Sequence, residues 1–260
     1  MPVKSLNEIT SDQSGIQQNV PVVSITHLKK SFSTNHVLND FSMQVYPGES
    51  VAVLGKSGSG KSVLIKCMVG LLDPDAGRVE IFGENIPDLN HFALDKIRAR
   101  IGFLFQSNAL YDSMTVRENL TFPLRRHWIQ TTTEEEEKLV RDALASVGLE
   151  HTINMLPIEL SGGMRKRVAL ARTLILKPDI ILYDEPTTGL DPITGREISK
   201  LMVDIQHTYH TTSIIISHDM QCIRITSNRI VVLIDGRCYA EGTYQELHQS
   251  NDPKVKQFFE

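Results

Sequence analysis

Val51-Ala52-Val53-Leu54-Gly55-Lys56-Ser57-Gly58-Ser59-Gly60-Lys61-Ser62 sets four apolar residues directly against a glycine-rich octet. The octet fits G-x-x-x-x-G-K-[ST], and a helical pattern continues through Leu64, Ile65 and Met68 before Gly70. An apolar run this short, bounded by a turn, reads as a strand buried in a parallel sheet. Gly55, Gly58 and Gly60 let backbone N–H groups wrap phosphate oxygens with no Cβ in the way, while Lys56, Ser57 and Ser59 complete the turn. Lys61 is the cation for the β- and γ-phosphates and Ser62 offers a hydroxyl to Mg²⁺. The helix that starts there turns its positive end toward the anion. A chance match in a chain of average composition has odds on the order of one per cent, and correct flanking elements lower them. The stretch predicts an α/β fold that binds a nucleotide.

Outward from it, Val22–Ile25 and Phe41–Val45 alternate as half-buried strands do, and Ile101–Phe105 reads as another strand. Ile180–Tyr183 and Ser213–Ile216 are wholly apolar or small and read as buried strands. Val231–Leu233 and Cys238–Ala240 flank Asp235-Gly236, a hairpin signature. From about residue 107 to residue 177 the pattern is mostly helical. Its acidic run, Glu134–Glu137, opens a helix, as a solvated face with carboxylates near the positive end. Strands and helices interleave around this insert, so the expectation is an α/β core carrying an α-helical subdomain. Residues 1–20 are polar and patternless and are expected to be a flexible tail.

Two further constellations carry chemistry. The apolar strand at Ile180 ends in Asp184-Glu185. Asp184 can hold Mg²⁺, through a water, and Glu185 can act as general base on the attacking water. Many strands end in acids, and it is the phosphate loop upstream that gives this pair its meaning. Leu160-Ser161-Gly162-Gly163-Met164 precedes a helical pattern, Arg165–Arg172. Ser161 can cap that helix while Gly162 and Gly163 leave amides open to an anion. Alone it would be a capped helix start. Its place, 100 residues beyond Lys61 and just before Asp184-Glu185, argues for more.

Composition narrows the classes. A net charge of -4 argues against sequence-independent nucleic-acid binding, which needs a basic footprint. Cys67, Cys222 and Cys238 have neither metal-type spacing nor a disulfide framework, and read as fillers in a reduced compartment. No stretch reaches the roughly 18 uninterrupted apolar residues of a membrane helix, and no basic-then-apolar leader opens the chain. Service to a membrane would run from the cytoplasmic side through a partner.

On these motifs the sequence resembles the ABC-transporter ATPases from about Val22 onward. Leu160–Met164 looks like their signature motif, with Ser161, Gly162 and Gly163 completing the nucleotide site of an opposite subunit. Gln106 matches the Q-loop glutamine that contacts Mg²⁺ and the water and senses the membrane partner. His218, after the strand Ser213–Ser217, matches the switch histidine on the γ-phosphate. Leu190-Asp191 matches the loop at the dimer seam, and Phe32 stands where the family stacks an aromatic on adenine. The resemblance implies a P-loop ABC ATPase core over residues 21–260, with an N-terminal antiparallel β subdomain and the helical insert. It implies ATP and Mg²⁺ as cofactors, with Ser62, Gln106 and Asp184 toward the metal. Lys61, Gln106, Glu185 and His218 then serve hydrolysis in a homodimer that closes on ATP.

The segment Ser107–Leu124, with Leu160–Leu170, Tyr183–Ile193 and Ser250–Phe259, is similar to the Mce/Mla-type lipid-transport ATPases. That similarity implies a peripheral subunit on the cytoplasmic face of the inner membrane. Its partners would be a six-helix Mla-type permease and an Mce-domain protein; a small regulatory subunit stays open, and no nucleic acid is expected. Asn108 stands where a glycine-like residue is expected, and Ser217 where threonine is commoner before the histidine. An importer ATPase for amino acids or metals, or a soluble ABC ATPase of cofactor assembly, shares the same motifs. Ribosome-associated forms with two phosphate loops and clamps with long heptad arms do not fit one loop and no sustained heptads.

Overall fold

The computed structural model describes residues 4–5, 20–127 and 129–260. The tail expected over residues 1–20 lies outside the described residues except at Val20 and at Lys4–Ser5, which pairs in parallel with Ile129–Gln130. The chain divides into two compact units, one containing Ala99–Thr211 and the other Gln17–Arg98 with Thr212–Glu260.

The second unit carries the phosphate loop. Strand Ser50–Leu54 is buried at every position, and it pairs in parallel with Thr212–Ser217 on one side and Arg229–Ile234 on the other. This explains its unbroken apolar sequence, because neither face meets water. Arg229–Ile234 then turns back antiparallel into Arg237–Gly242. The turn is the Asp235-Gly236 pair, with φ of 52° and 71°, as a hairpin whose two central residues are left-handed requires. Gly236 has a second duty: a Cβ there would stand 2.6 Å from the Asn39 nitrogen, and the Asn39 N–H donates to the Gly236 carbonyl at 2.8 Å. That bond joins the hairpin to an antiparallel sheet of Asn35–Val45, Val23–Phe32, Ala76–Ile81 and Glu84–Asn85. Arg229 locks the edge, with both Glu49 oxygens on its guanidinium at 2.6 and 2.7 Å and Glu241 beside them.

The other unit pairs Ile101–Leu104 in parallel with Ile180–Asp184 and packs four helices, Val116–Arg126, Thr133–Ala145, Gly162–Leu174 and Pro192–Tyr209. Val116, Leu120, Leu124, Val140, Leu144 and Val168 recur at helical spacing and form its apolar centre. Capping boxes start two of the helices: Thr115 with Glu118, and Thr132 with Glu135. The acidic run Glu134–Glu137 sits in the first turn of Thr133–Ala145, as expected. Pro123 falls inside Val116–Arg126, although proline removes a donor there and crowds the carbonyl four residues earlier. The helix nonetheless continues, because Leu120 and Leu124 on either side of the proline are buried in the apolar centre.

Candidate active site

The phosphate loop is built by local forces. Gly60, with φ of 103°, caps helix Lys61–Met68, and a Cβ there would stand 2.9 Å from Val37. A Cβ on Gly55 would meet the Leu233 carbonyl at 2.9 Å, whereas Gly58, with φ of 78°, opens onto free space. The glycines therefore serve two ends: Gly55 and Gly60 admit close packing beneath the loop, and Gly58 and Gly60 take its left-handed backbone. Lys61 is 8% exposed, and its ammonium folds back over the loop to donate to the carbonyls of Gly55 at 2.7 Å and Lys56 at 3.0 Å. The Ser59 hydroxyl is buried with no hydrogen-bond partner among the described residues. At the helix end, Arg98 donates to the carbonyls of Val69 and Gly70, taking up acceptors that no helical N–H reaches.

The donor set fits a nucleotide phosphate with Mg²⁺. It combines a primary ammonium, two hydroxyls and a loop whose glycines leave its amides unshielded. Among the described residues no three His, Cys, Asp or Glu side chains cluster as a metal cage.

In the same unit Phe32 ends its strand 47% exposed. Lys30 lies 5.7 Å from its ring centroid and is held by Asp75 at 2.7 Å, and Asp75 also accepts from the Ser31 amide. His218 is exposed just after Thr212–Ser217. Ser217 is buried, and its hydroxyl accepts from the Asp219 amide at 3.0 Å. The hydroxyl is the group used, so serine serves where threonine is commoner.

In the other unit Asp184 closes the strand, and Glu185, 9% exposed, follows with φ of 49°. A left-handed glutamate costs on the order of 1 kcal/mol and directs the chain sharply out of the sheet. Thr188 holds this turn with its amide on the Glu185 carbonyl and its hydroxyl 3.3 Å from Glu185 Oε2. Ser161 caps Gly162–Leu174, accepting from the Met164 amide at 3.2 Å. A Cβ on Gly163 would meet Thr194 at 2.8 Å, whereas on Gly162 only Leu190 comes within 4 Å. Asp191 caps Pro192–Tyr209, accepting from the Ile193 and Thr194 amides and the Thr194 hydroxyl. These bonds hold its carboxyl below the usual range. Capping alone would account for Ser161 and Asp191, yet Ser161 is exposed and Ile193 beside Asp191 is 74% exposed.

Gln106 is exposed, and its carbonyl accepts from the Lys166 ammonium at 3.0 Å. Lys166 is 1% exposed. Burial pushes its ammonium down to about 8, against the pull of the Asp184 carboxylate. Two residues on, Asn108 and Ala109 are both left-handed, with φ of 65° and 49°. Asparagine tolerates that region better than other residues with a Cβ, which explains why it can replace a glycine-like residue. Arg172 donates to both carbonyls, at 2.8 and 2.6 Å. Asn119, fully buried, donates to the carbonyls of Tyr111, Met114 and Thr115 and accepts from the Tyr111 amide. Lys166, Arg172 and Asn119 were not legible as site residues. Nothing in their spacing along the chain marks them.

Comparison with known proteins places these features. The ABC transporter family profile matches residues 38–188. The intermembrane phospholipid transport system ATP-binding protein MlaF of Escherichia coli is 37% identical over 224 residues, covering 86% of this chain and 83% of that protein. The probable ribonucleotide transport ATP-binding protein mkl of Mycobacterium tuberculosis is 38% identical over 236 residues. The match covers 91% of this chain but 66% of the mycobacterial protein, just under two thirds of its length. Among solved structures, the dimeric ATP-binding cassette MJ0796 in a post-hydrolysis state with ADP and Pi superposes with a TM-score of 0.77 at 33% identity. It is covered over 98% of its length and covers 85% of this chain. The protein cbiO1 from Clostridium perfringens, described as part of the ABC transporter complex cbiONQ, gives 0.80 at 32% identity, with 87% of this chain and 90% of that one covered.

Proposed function

The chain belongs to the ABC transporter family, and from that premise we propose that it is the ATP-hydrolysing subunit of a lipid transporter, acting as a homodimer beneath an integral-membrane permease. The observation that carries the reading is the phosphate loop with Lys61 drawn over its carbonyls, on a fold shared with a cassette solved with ADP and Pi. ATP supplies the phosphoanhydride and Mg²⁺ neutralises its charge. Lys61 would give its ammonium to the β- and γ-phosphates, and Ser62 and Asp184 would offer oxygens to the metal. Phe32 offers its exposed face to the base. Glu185 takes the proton of the attacking water on its carboxylate, steadied by Thr188. Gln106 orients that water, and His218 donates to the γ-phosphate. Ser161, Gly162 and Gly163 serve the nucleotide of the second copy, with Asp191 at the seam, so that ATP closes the dimer and hydrolysis releases it.

The lipid reading rests on relatives. MlaF is named for phospholipid transport, and an Arabidopsis relative, 39% identical over 246 residues, carries the name trigalactosyldiacylglycerol 3. The mycobacterial relative's name points instead to ribonucleotides. Among the described residues no helix is long and apolar enough to cross a membrane. By its likeness to MlaF, the chain is proposed to sit peripherally on the cytoplasmic face, with a permease and an Mce-domain protein as partners.

The test is a native pull-down of the Glu185→Gln protein from gently solubilised membranes, identifying co-purifying proteins and bound lipid. A permease, an Mce-domain protein and phospholipid support the reading in full. A solute-binding protein without lipid discards the cargo and keeps the ATPase, and the absence of any membrane protein discards the transporter.

A further inference from the structure

The stretch from Gln106 to Thr115 holds its shape by donors that come from helices. Three of its carbonyls, those of Gln106, Asn108 and Ala109, accept from Lys166 and Arg172, both on helix Gly162–Leu174. The carbonyls of Tyr111, Met114 and Thr115 accept from Asn119 at the start of the next helix. Asn108 and Ala109 are left-handed without being glycine, a conformation that surrounding contacts must impose. Lys166 lies five residues beyond Ser161, about 7.5 Å along the helix axis, so its ammonium ties the Gln106 backbone to the element that Ser161 opens.

We propose that Lys166 is a positioning residue for Gln106, and that with Arg172 it makes the Gln106 loop and the Ser161 helix move as one rigid body. A displacement of the exposed loop is then delivered through these main-chain ties to Ser161 and the two glycines that follow it. The ammonium suits this task because it donates to a main-chain carbonyl and leaves the Gln106 side chain to its own work. The rigidity is a claim about this unit by itself. Its consequence for hydrolysis rests on the ATPase reading above.

Full-length Lys166→Met and Lys166→Arg separate the parts. Methionine keeps the length and apolar packing of the stem and removes the donor, and such replacement of a buried charge is commonly tolerated. Amide exchange, read by mass spectrometry without nucleotide, is expected to rise about tenfold over residues 106–110 in Lys166→Met, the effect of losing one charged hydrogen bond. Exchange in helix Pro192–Tyr209 should not change. In ATP hydrolysis kcat should fall about tenfold while KM stays within about twofold, and Lys166→Arg should restore both exchange and kcat. Unchanged exchange over 106–110 overturns the clamp. Raised exchange with unchanged kcat overturns the positioning role, and so does a loss that arginine fails to rescue. Should Lys166→Met not fold, Arg172→Gln opens the other half of the clamp and is read in the same way. A wild-type chain that does not hydrolyse ATP counts against the function, and the exchange experiment still decides the clamp.

Discussion

The phosphate loop and the Gln106 loop are both held by a buried lysine whose ammonium sits on main-chain carbonyls. In the first, Lys61 reaches back six residues to Gly55; in the second, Lys166 reaches Gln106 across 60 residues. The local device is written as a contiguous motif, because strand, glycines, lysine and helix must follow one another for the geometry to close. The remote device leaves no such mark. Its lysine lies in a basic run, Arg165-Lys166-Arg167, that carries no sign of which cation is buried. One chemistry thus has two degrees of visibility, set by the separation of donor and acceptor along the chain.

The comparison can be broken most sharply at its local side. Lys61→Ala removes the phosphate cation along with the tie across the loop. ATP binding or turnover should drop about 100-fold or more, as measured by nucleotide titration and phosphate release. Retained turnover would remove Lys61 from the site. Glu185→Gln asks whether chemistry can be separated from the loop that binds. Hydrolysis should fall about 10²–10⁴-fold while ATP still binds and holds a closed dimer in sizing experiments. Normal turnover by this variant would end the general-base assignment.

On the remote side, Asn119→Ala withdraws the donor from three carbonyls at once in a fully buried position. It should cost about 2–3 kcal/mol of stability in denaturant unfolding, and a loss within error would show that water replaces it without penalty. The smallest effect is expected from Thr115→Ala, which deletes one half of the capping box with Glu118 and should cost about 1 kcal/mol. A larger loss there would mean that the cap also carries the loop before it.

Where sequence reading worked, the physics was local or periodic. The buried strand at Ser50–Leu54 was legible from its lack of alternation, the Asp235-Gly236 turn from its two left-handed residues, and the Thr133–Ala145 helix from its acidic first turn. Where it missed, partners were distant. The strand Ile129–Gln130 needs Lys4–Ser5, and the left-handed pair Asn108-Ala109 has its carbonyls held by Arg172. Asn108 shows the boundary. The sequence comparison marked it as a departure, and only its φ of 65° shows why asparagine can stand there.

By itself, then, the sequence determined the class of the protein and named the residues proposed for its nucleotide chemistry, since phosphate binding by a glycine loop depends on residues that are neighbours in the chain. Tertiary structure alone decided which cations are buried. It draws Lys166 and Arg172 out of an apparently solvated helix face onto the carbonyls of a loop some 60 residues earlier. The physical reason is that a charge acquires such a role only when water is excluded around it, and exclusion is a property of packing that no spacing along one chain records.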